Sequence, residues 1–127
     1  EAEKIFGSVG ITCWLEEKFF NLFTALFGSG PAYVFYLIEA LQESAQKIEL
    51  PDNLIKNLII QMIKGSASLA ERSEDSPSQL REKVTSPGGV TERALEILNE
   101  RKVKQHLVEA ILEGASRSKH LGGRESG

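Results

Sequence analysis

A single cysteine, Cys13, stands among the 127 residues, so no intrachain disulfide can form and no cysteine cluster can hold a metal. A reducing compartment such as the cytoplasm is the simplest setting for such a chain. Histidine is nearly as scarce. His106 and His120 have no carboxylate or second histidine four positions further on, so they read as surface residues, and no metal site is expected. No run approaches the ~18 apolar residues that a membrane span needs, and no charged-then-apolar leader opens the chain. The first residue is Glu1 rather than methionine, as expected of a fragment or processed product. A targeting segment upstream of Glu1 would lie outside it. Net charge is −3 with both signs interspersed, which gives no footprint for nucleic acid or an anionic membrane surface. Finally, there is no βαβ unit with a GxGxxG turn, so the cradle of a dinucleotide pyrophosphate is missing.

What remains is a chain with the length of one domain and 41% apolar residues, a composition that excludes intrinsic disorder. Residues 10–15 are short and β-branched, the one strand-like stretch; with no second strand in the chain to pair with, it is expected to be irregular or to pair with another chain. Cys13 within them reads as a small buried apolar residue. A helix is predicted over 16–27, with Phe19, Phe20, Phe23 and Phe27 as a core or interface face. The next is predicted over 31–48. Its first half, 33–38, is apolar on every side, and such a helix must be covered all round. A small helical domain has few elements to do this, so a partner chain is expected to contribute. Pro51 opens a long helix to about Arg72, with Leu54, Ile55, Leu58, Ile59, Met62, Ile63 and Leu69 on one broad face. Ser76-Pro77 is a cap and first-turn proline before a short helix, 78–83. Two more helices are predicted over about 90–101 and 104–121, the last with Leu107, Val108, Ile111, Leu112 and Ala115 as its inner stripe. The final six residues, 122–127, read as a loose tail. The fold class is all-α, a bundle of about five to six helices.

Two glycine-proline segments carry the chemical signal. Thr85-Ser86-Pro87-Gly88-Gly89-Val90-Thr91 reads as an anion-binding helix entrance. Proline suits a first helical turn, glycine lets backbone and ligand approach closely, and a helix start presents free N–H groups and partial positive charge. The plain alternative is that Ser86 or Thr91 merely caps the helix. The second segment is Gly28-Ser29-Gly30-Pro31-Ala32-Tyr33, where Gly28 reads as a helix stop and Ser29 as a cap. Capping alone and a role near a ligand both fit Ser29 and Gly30. Glu92, Arg93 and Glu96 read as a solvated helix face.

The pair GSGPAY and TSPGGVT, in this order with Leu50-Pro51 opening the helix between them, resembles the C-terminal domain of pyrroline-5-carboxylate reductase over about residues 11–121. That resemblance implies an interlocked helical homodimer of the 6-phosphogluconate-dehydrogenase C-terminal type, open to higher assembly. It implies residues 1–15 as the end of a dinucleotide-binding domain, 16–121 as the dimerisation and substrate domain, and 122–127 as a flexible tail. The parent enzyme reduces 1-pyrroline-5-carboxylate to proline with NADPH or NADH. No cofactor or turnover is expected of this segment alone. By the same resemblance Ser86, Gly88, Gly89, Val90 and Thr91 bind the substrate. Backbone N–H groups near Gly89 and Val90 take its carboxylate, and the Thr91 hydroxyl lies near its ring nitrogen. Ser29 and Gly30 are assigned near the cofactor, and no residue acts as a nucleophile. Phe27 departs from the family pattern of a small polar residue, and Val90 from the usual threonine or alanine. Phe27 could narrow a nearby pocket. The competing expectation is a non-catalytic helical homodimerisation module. The helical domain of another nicotinamide-dependent dehydrogenase is disfavoured, because no helix shows the lysine pattern of those families.

Overall fold

The computed structural model describes residues 11 and 13–122, whose regular structure is helical with no strand among them. Helix α1, Phe20–Phe23, continues from a 3-10 turn, Glu17–Phe19, and runs on into a π-turn, Thr24–Gly28. The π geometry is closed by the Ser29 N–H donating to the Thr24 carbonyl at 3.0 Å. Helices α2 (Gly30–Ser44), α3 (Asp52–Arg72), α4 (Pro77–Lys83), α5 (Val90–Glu100) and α6 (Val103–Gly122) follow. The chain divides into two units, one of residues up to Ser29 with those from Glu109 onward, the other Gly30–Val108.

Sequence chemistry accounts for most boundaries. Pro31 is the second residue of α2, and Pro51 directly precedes α3, both places where a missing N–H costs nothing. Ser76 forms a full capping box at α4. Its Oγ accepts from the Gln79 N–H at 3.3 Å, and its own N–H donates to Gln79 Oε1 at 2.8 Å. Lys102 ends α5 in the left-handed region, with φ 55°, where glycine or asparagine is the usual occupant.

Four expectations are corrected. The helix after Pro31 stops at Ser44 rather than residue 48. Gln46 and Ile48 close tighter turns onto Glu43 and Ala45 at 3.2 and 2.9 Å, and Pro51 holds the residue before it away from helical geometry. Gly122 belongs to α6 rather than to a loose tail; residues 123–127 lie outside the described residues. Cys13 is exposed, not buried. The strand-like stretch, by contrast, meets its expectation where it is described: residues 11 and 13–15 are irregular, and Gly10 and Thr12 lie outside the described residues. Lastly, Glu17–Ser44 forms a helical stretch of 28 residues in which a window of 18 reaches a mean hydropathy of 1.2, enough by length and composition to cross a membrane.

In the first unit, Ala25 is 4% exposed, and a side chain at Gly114 of α6 would stand 3.8 Å from it. The Ser118 Oγ also bonds Asn21 Oδ1 at 3.0 Å, and the Phe23 and Phe27 rings lie 4.8 Å apart, tilted by 50°. Small residues thus permit close approach of two helical segments, with a polar bond and an aromatic pair beside them. In the second unit α2 packs on α3. The broad apolar face expected for α3 splits into two stripes. Ile55 is buried and Ile59 and Ile63 are half-buried, whereas Leu54, Leu58, Met62 and Leu69 are exposed.

Ala25 and Ile55 are the buried apolar residues among those described. A self-sufficient domain of this length buries roughly two-thirds of the surface its chain could expose. Here Val34, Phe35, Tyr36 and Leu37, the part of α2 that is apolar on every side, are all exposed. Helix formation is complete, but burial is not. Surface of this kind marks an interaction face.

Candidate functional site

The loop between α4 and α5 is built from local bonds. At the end of α4 the Thr85 N–H donates to the Glu82 carbonyl at 3.0 Å, and Thr85 Oγ1 donates to the Arg81 carbonyl at 2.6 Å. Ser86-Pro87-Gly88-Gly89 then makes a β-turn, with the Gly89 N–H donating to the Ser86 carbonyl at 3.0 Å. Gly88, the third residue of that turn, has φ +72°. Proline second and a left-handed glycine third are the signature of a type II turn. Pro87 therefore shapes the turn ahead of α5 and is not part of the first helical turn, as the sequence alone suggested. The two glycines serve different needs. A side chain at Gly88 would be strained by its φ, whereas a Cβ at Gly89 would press within 3.0 Å of the Ser86 carbonyl oxygen.

Gly89 is the N-cap of α5, and no side chain caps it, so neither Ser86 nor Thr91 plays that part. The first intrahelical bond is from the Arg93 N–H to the Gly89 carbonyl at 3.2 Å. The amides of Val90, Thr91 and Glu92 precede it, the positions where a helix start leaves donors without intrahelical partners. The Val90 side chain is 88% exposed, and Ser86 and Thr91 are exposed as well. The arrangement offers N–H donors, two hydroxyls and an exposed apolar side chain within six residues, fit for a small anion with an apolar body.

One bond in the loop escapes a reading of the sequence. The Gly88 N–H donates to Glu92 Oε2 at 2.6 Å, so Glu92 is half-buried rather than part of a solvated face. An acidic residue third in a helix reaching back over the entrance is a known signal, here displaced by one residue, since the N–H of the N-cap Gly89 is already donated to the Ser86 carbonyl. Arg93 and Glu96 do form an ordinary surface pair, at 2.9 Å. Ahead of the loop, Asp75 accepts from Lys83 Nζ at 2.5 Å and from Ser73 Oγ at 3.3 Å. The Lys83 hydrogen bond holds its carboxyl below the usual range, against a smaller opposing effect of desolvation.

Ser29 and Gly30 fall in different units, Ser29 at the end of the first and Gly30 at the start of the second with the 85–91 loop. A side chain at Gly30 would meet nothing within 4 Å. Phe27 is 61% exposed and packs against Phe23 with the rings tilted. His120 Nδ1 lies 2.8 Å from the Ser116 carbonyl, and no cluster of three metal-ligating side chains occurs among the described residues.

Comparison with known proteins covers nearly all of the chain. Residues 17–121 match the family described as pyrroline-5-carboxylate reductase dimerisation. Pyrroline-5-carboxylate reductase 2 of Bacillus subtilis is 36% identical over 120 residues, which are 94% of this chain and 43% of that protein. The pea (Pisum sativum) pyrroline-5-carboxylate reductase is 39% identical over 118 residues, 93% of this chain and 43% of its own. The chain thus spans less than half the length of these curated relatives. Among solved structures, the Plasmodium falciparum pyrroline carboxylate reductase, with NADP bound, superimposes with a TM-score of 0.87 at 36% identity. It is matched over 95% of this chain and 49% of its own. The pyrroline-5-carboxylate reductase of Coxiella burnetii gives 0.87 at 39% identity, over 94% and 45%.

Proposed function

The chain belongs to the pyrroline-5-carboxylate reductase dimerisation family, and from that premise we propose that it is the dimerising, substrate-holding part of such a reductase. The observation that carries the reading is the match over 17–121, which includes both glycine-proline entrances. The substrate would be 1-pyrroline-5-carboxylate, a small ring bearing a carboxylate. The reaction would be its reduction to proline. The apolar surface left open on α2 and α3 supports a second copy of the chain as the partner, and the cytoplasm is the compartment expected for this reading.

In this proposal the substrate carboxylate lies against the entrance of α5, where N–H donors and the helix dipole offset its charge. Val90 would border the ring, and Thr91 Oγ1 would hydrogen-bond the ring nitrogen. Ser86 adds a second hydroxyl to the same loop. None of these groups would form a covalent bond to substrate. They orient it and stabilise charge at nitrogen as it is reduced. The residues here do not fit a dinucleotide: no strand occurs among those described, and the sequence has no glycine turn to cradle a pyrophosphate. We therefore place the binding of NADPH or NADH, which supplies the hydride, outside this chain.

The test is Thr91→Ala in the parent reductase, with catalytic efficiency and melting temperature measured on the same preparation. A hydrogen bond to a charged group is worth about 1.5–3 kcal/mol, so efficiency should fall about ten- to a hundredfold. The melting temperature should hardly move, because Thr91 caps nothing. Unchanged efficiency, or a fall that merely follows unfolding, would remove Thr91 from the site.

A further inference from the structure

We propose that Glu92 is a positioning residue for the substrate carboxylate: it ties down the Gly88 amide, so that the Val90 and Thr91 amides are left as the seat. The proposal rests on the reading of the loop as the substrate site and adds to it a residue that neither motif contains.

The loop has four successive amides from Gly88 to Thr91 that could meet an anion, and two are already engaged. The Gly89 N–H is spent on the Ser86 carbonyl at 3.0 Å, closing the turn. The Gly88 N–H is spent on the Glu92 carboxylate at 2.6 Å, the length of a charge-assisted bond. Gly88 sits at φ +72°, a conformation glycine can leave easily because it has no Cβ to confine it. Nothing lies within 4 Å of where its side chain would be, so packing does not hold it either. The Glu92 bond links this otherwise unconfined residue to the first turn of α5, four residues away. It therefore fixes the turn to the helix whose amides are to receive the ligand.

A carboxylate beside an anion site carries an electrostatic cost, since like charges repel. The Glu92 carboxylate bonds Gly88, ahead of the helix, so it orders the turn without taking the Val90 or Thr91 donors. Preorganisation of this kind favours binding by removing loop freedom before the ligand arrives. Glu92 touches none of the reacting atoms in this arrangement, so its effect belongs on substrate affinity rather than on the chemical step.

The experiment compares Glu92→Ala and Glu92→Gln in the parent reductase, by steady-state kinetics and by hydrogen–deuterium exchange of the peptide spanning 85–92. Glutamine keeps an oxygen acceptor for the Gly88 N–H; alanine does not. Glu92→Ala should raise KM for pyrroline-5-carboxylate about three- to tenfold, the size of one modest hydrogen bond. Its kcat should stay within about twofold, and the peptide should exchange faster. Glu92→Gln should return KM and exchange to near the unsubstituted values. A KM that is unchanged or lower in Glu92→Ala would overturn the proposal, the latter showing that the carboxylate competes with substrate. So would Glu92→Gln behaving like Glu92→Ala, which would make charge rather than the bond the cause. If the unsubstituted protein turns over no pyrroline-5-carboxylate, the functional reading fails. The exchange arm then still decides whether Glu92 fixes the loop.

Discussion

Between Thr85 and Glu92 each bend is closed by a bond from within four residues: Thr85 to Arg81, Gly89 to Ser86, Gly88 to Glu92. In α2, by contrast, the backbone is regular while Val34, Phe35, Tyr36 and Leu37 are 44%, 62%, 75% and 51% exposed. The first region is complete within the chain. The second is a finished helix with an unfinished environment. Since burial of apolar area dominates folding free energy, the two differ in what keeps them folded. The loop draws its shape from neighbours in sequence and needs the rest of the protein mainly as an anchor. The apolar run of α2 depends on surface that another molecule must cover.

That contrast can be broken most severely on the apolar side. Phe35→Asp should weaken self-association on the order of a thousandfold or more. Each large apolar side chain contributes about 1.5–3 kcal/mol on burial and counts twice in a symmetric pair, before the cost of burying a charge. Sedimentation of the variant should show monomer, with helical circular dichroism reduced. If Phe35→Asp stays a folded dimer, α2 does not face the partner.

The loop side should respond more mildly. Gly88→Ala forces a side chain into a left-handed conformation at φ +72°, a penalty of roughly 1–2 kcal/mol. Denaturant titration should show that loss with the dimer intact. No loss of stability would mean that the turn relaxes freely, and the claim of a locally fixed loop would fail.

The smallest effect concerns pH. Asp75 has its carboxyl depressed, chiefly by the Lys83 hydrogen bond. The stabilisation it gives is therefore fully present above the ordinary aspartate value of about 3.9. It is lost as pH falls through the lower value of the folded state, where the native carboxylate at last takes a proton. Asp75→Asn should be less stable than the unsubstituted chain near pH 6, with the gap in melting temperature closing toward pH 3. A gap that is constant with pH would show that the Lys83 pair contributes nothing to folding.

The same division explains what could be read from the sequence. Pro31, Pro51 and the Ser76-Pro77 box announced helix starts because proline and capping chemistry act within one turn. TSPGGVT was legible as an entrance for the same reason. Sequence alone does not separate the type II turn around Pro87 from a first helical turn, because proline fits both settings, and the left-handed angle at Gly88 decides between them. Glu92 reads as a solvated residue from its charge, although an acid in the first helical turn is a signal that it can reach back. Burial was the least legible feature. Leu58 and Ile59 look alike in the helical pattern of α3, yet one is exposed and the other half-buried, because sequence periodicity defines a face but not which molecule covers each part of it. Cys13 is exposed for the same reason: an apolar neighbourhood in sequence does not guarantee a packed one in space.

On this reading a second copy of the chain completes the fold. Sedimentation equilibrium of the chain at micromolar concentration, with circular dichroism along the dilution series, decides the matter. The expected result is a helical species of twice the 14.0 kDa chain mass, with helicity lost together with association on dilution, as in obligate dimers. A stable, fully helical monomer would contradict it.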